Sequence, residues 1–180
     1  MRSGNRVGER GFAGSGAADE DRVAVVGNEA AIGEFPNQPL GDRRVGGVEL
    51  VDVLCQRQFG DKIAEIRRWH VQERGWRDIG YHWVIDRDGS VAPGRSETEI
   101  GAHVEGHNRG TIGICLLGGY GASADDPFEK SFTPAQAAAV RRLINEINAR
   151  AAIRKVSGHN DYAAKACPGF GVATWLRGPR

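Results

Sequence analysis

Apolar residues recur along this chain with two periods, and they do so only from about residue 47 onward. Val48 to Leu54 is short and Val-rich and reads as a strand. Ile63, Ile66 and His70 then fall at i, i+3 and i+7, with Trp69 beside them, which predicts a helix capped by Asp61 and ended by Gly75. Tyr81 to Asp86 is the next strand. Asp88-Gly89 makes a tight turn into a return strand at Ser90 to Ala92. Thr111 to Leu117 is almost wholly apolar and is expected to lie in the middle of a sheet, buried on both faces, with Cys115 as a packed core thiol. Thr133, Pro134 and Gln136 form a capping box at the head of a long helix, whose buried face is Val140, Leu143, Ile144 and Ile147. Ile153 to Val156 is a last short strand, and Thr174 to Arg177 one helical turn. Strands alternating with helices predict an α/β domain with a mixed central sheet flanked by helices. Residues 1–46 hold one short apolar run, Val23 to Val26, and no sustained period. They are expected to be an unstructured tail before a single domain over residues 47–180.

Composition narrows the picture without deciding it. A chain of 180 residues is long enough for one domain with a real core. Its 24 basic and 23 acidic residues leave no field that favours nucleic acid, and none is expected as a partner. No apolar window of membrane-spanning length occurs, and the N-terminus has no apolar signal-peptide region. Three cysteines, Cys55, Cys115 and Cys167, do not make a disulfide framework. A monomer is expected.

Candidate chemistry is concentrated near the end. His159, Lys165 and Cys167 share one Gly- and Pro-punctuated stretch, Ser157 to Phe170. Imidazole and thiolate are good zinc ligands, and a loop can bring both to one ion. The same residue types also fit an exposed histidine, a solvated lysine and a buried structural cysteine.

Several stretches together resemble the zinc-dependent N-acetylmuramoyl-L-alanine amidases, a family that includes phage lysozyme-like endolysins and peptidoglycan recognition proteins. They are Glu65 to His70, Gly75 to His82, Arg87 to Ser90, Gly101-Ala102-His103, Thr111 to Cys115, and His159 through Lys165-Ala166-Cys167-Pro168. The resemblance covers about residues 60–178. It implies hydrolysis of the amide between N-acetylmuramic acid and L-alanine in peptidoglycan. It also implies one zinc ion held in part by His159 and Cys167, with Tyr81 and Lys165 around the scissile amide and His103 lining the substrate cleft. Zinc-bound water loses its proton near neutral pH, and an ammonium such as Lys165 can stabilise the developing oxyanion. An endolysin of this kind would be made in the cytoplasm without a signal peptide and reach the wall through a separate pore.

The sequence departs from the family at one place. Its first zinc ligand is a histidine ending the first strand, where this chain has Leu54 or a neighbour, and no histidine precedes His70. Three readings follow: a peptidoglycan-binding module that has lost hydrolysis, a substitute ligand such as Cys55 or His82, or a reading-frame shift upstream of residue 58. Val53 to Gln58 has a synonymous coding string that, read one base later, yields Cys-Ser-Ala-Ser-Ala.

Overall fold

In the computed structural model, residues 58–178 are described in full, together with the backbone of three strands before them. Those strands are β1 (Arg22–Glu29), β2 (Arg44–Val45) and β3 (Val48–Glu49). There follow α1 (Phe59–Arg68), a π-helical turn (Trp69–Glu73), β4 (Trp83–Ile85), β5 (Val91–Pro93), β6 (Thr111–Leu117), α2 (Phe128–Ser131), α3 (Pro134–Arg150), β7 (Ile153–Gly158) and α4 (Val172–Arg177). The main sheet runs β5-β4-β6-β1-β7, and β2 with β3 forms a separate ribbon. β4, β6, β1 and β7 are parallel to their neighbours, while β5 returns antiparallel to β4. This is the expected mixed sheet, and β6 lies at its centre.

The pleat sorts β6 into two cores. Ile112, Ile114 and Leu116 face α3 and the aromatic group of Phe128, Phe132 and Phe170, while Cys115 faces the other side with Ile63, Ile66, Ile79, Tyr81 and Val84. Cys115 is fully buried, as its setting in the sequence implies. The capping box of α3 is present: the Gln136 N–H donates to Thr133 Oγ1 and the Thr133 N–H to Gln136 Oε1, both at 3.1 Å. Val140, Leu143 and Ile147 are buried, each contributing on the order of 1.5–3 kcal/mol. Gln136 does more than cap. Its Nε2 also donates to the carbonyls of Leu117 (2.9 Å) and Ile85 (3.4 Å), tying the helix to the ends of β6 and β4.

Two expectations change. α1 begins at Phe59 with Gln58 before it, so Asp61 lies in the first turn, where its charge favours the helix N-terminus, and is not the cap. Arg22–Glu29 forms a strand between β6 and β7, inside the stretch expected to have no structure. The run Val23 to Val26 is apolar enough for a slot flanked on both sides, with Val25 opposite Gly113 and Val26 opposite Gly158. Of the strand expected over Val48 to Leu54, Val48–Glu49 is seen in β3, and Cys55 with the rest lies outside the described residues.

Candidate active site

The site grows from three segments that meet on the α1 side of the sheet. The first is the bend before β4. Arg95, 6 % exposed, donates to the carbonyls of Asp78, Ile79 and Ile100, which braces residues 78–80 against the 96–100 turn. Tyr81 follows, buried, its ring stacked near His103 at 6.4 Å and tilted toward His70 at 5.9 Å. His70, expected as a packing residue, is buried and accepts the Gly80 N–H at Nδ1 (3.1 Å).

The second segment is the loop before β6. Asn108 Oδ1 accepts both the His103 and the Val104 N–H at 2.8 Å, setting the loop so that His103 turns inward. The His103 ring lies flat over Gly113, where an added Cβ would overlap it. Burial, and next the neighbouring His82 and His159, bring its pKa down to about 3, so the imidazole is neutral. Its Nδ1 is buried and has no hydrogen-bond partner among the described residues, and Nε2 lies 3.4 Å from Thr111 Oγ1.

The third segment follows β7. Gly158 hands the chain to a 3-10 turn, His159–Asp161. The Asn160 N–H donates to the Cys167 carbonyl at 2.7 Å, so the loop closes on itself and returns Cys167 beside His159. Asn160 Nδ2 donates to the carbonyl of Phe170, a core residue, which anchors the loop. Gly158 must be glycine here, since a Cβ would overlap Asn160 Oδ1. Tyr162 adds a second tie through Ser157 Oγ at 2.9 Å.

Together these segments line a cleft of about 360 Å³ that contains Tyr81, His103, His159, Lys165 and Cys167. All five candidate residues therefore share one space, with His70, Arg74, Trp76 and Glu105 around them. A larger hollow of about 540 Å³, between residues 124–129 and α4, contains no histidine, cysteine or lysine. Sequence reasoning passed over Arg95, Asn108 and Asn160. Their type and their Gly-rich setting hinted at loop anchoring; the partners of Asn108 lie within five residues, while Arg95 also reaches back to Asp78 and Ile79 and Asn160 reaches on to Phe170.

The donor set tests the metal. His159 and Cys167 are the two candidate zinc donors lining the cleft. Among the described residues, no group of three or more His, Cys, Asp or Glu is placed to hold an ion. His82, one possible substitute, is excluded. It is 1 % exposed, its Nδ1 accepts the Gly113 N–H and its Nε2–H donates to the Glu99 carbonyl, so both ring nitrogens are committed. The described residues thus do not complete a three-ligand zinc site.

The mixed α/β sheet thus carries one cleft lined by imidazole, thiol, ammonium and phenol side chains. The sequence model of one family, described as N-acetylmuramoyl-L-alanine amidase, matches residues 49–170, and the chain belongs to that family, whose members generally depend on zinc. It is 43 % identical over 113 residues to the endolysin of Klebsiella phage KP32, covering 63 % of this chain and 73 % of that protein. It is 43 % identical over 115 residues to the endolysin of Escherichia phage T7, with the same two coverages. The fold is that of bumblebee PGRP-SA (TM-score 0.62, 20 % identity, 88 % of this chain and 81 % of that one). It is also that of the N-acetylmuramoyl-L-alanine amidase LysC from Clostridium intestinale (TM-score 0.57, 22 % identity, 83 % and 76 %).

Proposed function

We propose that this chain is a peptidoglycan amidase of the phage endolysin type, cleaving the amide between N-acetylmuramic acid and L-alanine. The observation that carries the reading is the convergence of Tyr81, His103, His159, Lys165 and Cys167, drawn from three distant segments, on one cleft in a family of that activity. Lys165, exposed within the cleft, is the cation for the oxyanion that forms when water adds to the carbonyl. The Tyr81 hydroxyl hydrogen-bonds the attacking water or the reacting carbonyl. Neutral His103 lines the cleft that receives the substrate. The substrate is a muropeptide of the cell wall, met after release through a separate pore. No helix among the described residues is long and apolar enough to cross a membrane. The chain acts as a monomer.

Zinc is part of this reading only as far as its donors go, His159 and Cys167, and no step is routed through it. Purified walls incubated with the chain should release new amino-terminal alanine. Dialysed chain should carry about one zinc, lost in His159→Ala. That result requires a third ligand among residues outside the described set.

The two-donor set favours a second reading, a module that binds muropeptides without cleaving them. Binding of soluble muropeptide by calorimetry, with no alanine amines released and no zinc retained, would establish this module and sink the amidase.

A further inference from the structure

Tyr162 and His107 do not line the cleft and have no part in the chemistry above. They belong to two of its three segments. Tyr162 follows the His159–Asp161 turn, in the loop that carries His159, Lys165 and Cys167. His107 belongs to the loop before β6 that carries His103. Their ring centroids lie 4.6 Å apart, with the planes tilted by 37°. Each residue is fastened to its own loop. The Tyr162 N–H donates to the His159 carbonyl at 3.0 Å, and the Tyr162 hydroxyl lies 2.9 Å from Oγ of Ser157, a buried residue of β7. The Lys155 ammonium stands 4.8 Å from the centroid of the same ring. The His107 N–H donates to the Val104 carbonyl at 3.0 Å, and its own carbonyl accepts the Thr111 hydroxyl at 2.9 Å. His107 is exposed, Tyr162 is half-buried, and neither packs in either core. The pair therefore adds little to the core; what it does is join the loops. Main-chain bonds, such as Asn160 N–H to the Cys167 carbonyl, fix the shape of the later loop. A contact to the other loop fixes its distance from His103.

We propose that Tyr162 is a positioning residue whose ring, held by His107, couples the loop of His159, Lys165 and Cys167 to the loop of His103. The kinetic side of the proposal rests on the amidase reading of this cleft; the coupling of the loops does not. The two ends of Tyr162 then have separate duties. The hydroxyl ties the residue to β7, and the ring sets where Lys165 stands when the oxyanion forms.

Two measurements test it. The first is hydrogen exchange on the intact chain. His107→Ala should speed exchange of the Asn160 and Tyr162 amides, on the opposite loop, by about 3- to 10-fold, the worth of an aromatic pair. A change confined to the amides of residues 103–108 overturns the coupling. The second is turnover on purified walls. Tyr162→Leu should lower kcat by about 10-fold with KM within about twofold, because a small misplacement of a reacting group is costly. Tyr162→Phe keeps the ring and should keep kcat within about twofold, even where its melting temperature falls. In a Lys165→Ala background Tyr162→Leu should cost nothing further, since the ring acts through that lysine. A full additional loss there overturns the positioning role. His107→Ala, on the exposed partner, gives the same kinetic reading should Tyr162→Leu fail to fold. If the wild type releases no alanine amines, the amidase reading fails, and the exchange measurement still decides whether the loops are coupled.

Discussion

Two regions of the cleft wall handle the same side chain in opposite ways. At the start of β4, His82 is absorbed by the fold, closed off by a backbone donor on one side and a backbone acceptor on the other, while its neighbour His103 is buried over Gly113 with its charge suppressed and still lines the cleft. Beyond β7, the loop of His159 and Cys167 is closed by main-chain bonds and by Asn160, and His159 and Cys167 stay half-buried at the cleft. The difference teaches that chemistry-bearing residue types become a site only where the backbone satisfies itself. Where a ring satisfies the backbone, the ring is structure.

Substitutions can break this contrast, and the largest effect is expected on the open side. Lys165→Ala should lower kcat for amide cleavage by about 10²–10³-fold with little change in melting temperature, in assays on purified walls. An unchanged kcat would remove Lys165 from the oxyanion role. On the closed side, His82→Ala should cost about 2–4 kcal/mol in urea unfolding, since it leaves the buried Gly113 N–H unpaired and opens a cavity. A loss under 1 kcal/mol would mean that the ring is not structural.

Acid should separate the two regions further. The folded pKa of His103 is lowered from 6.5 to about 3, so its contribution to stability is complete above 6.5 and is lost as pH falls from there toward 3. The slope in that window should approach 1.4 kcal/mol per pH unit, less in His103→Gln, as read from denaturant midpoints across pH. The smallest effect is on the far rim. Arg150→Ala removes a partly exposed ion pair to Glu97 and should cost no more than about 1 kcal/mol.

Much of this was legible locally. The capping box at Thr133 and Gln136, the buried run of β6 and the Ser157 to Phe170 loop each announce themselves within a few residues, because caps, apolar runs and Gly/Pro breaks are short-range signals. The family motifs also marked the five residues that share the cleft. What local pattern could not show was β1. Val23 to Val26 is too short to read as a strand alone, and it becomes one by filling the space between β6 and β7. It lies outside the span of the family match, which begins at residue 49. The same limit applies to the reach of Arg95 to Asp78 and Ile79 and of Gln136 to Ile85 and Leu117, partners set by tertiary approach and not by spacing.

Gln136 has a mechanical consequence. With one amide it fastens the head of α3 to the last carbonyl of β6 and to that of β4. Helix and sheet are therefore welded at the point where residues 118–122 depart, and Gly119, Gly121 and Ala122 of that stretch form one lip of the cleft. The Gln136 amide thereby pins the root of the lip at Leu117. In hydrogen exchange, the amides at the end of β6 and in the first turn of α3 should open together. In Gln136→Leu that shared protection should be lost first at the helix head.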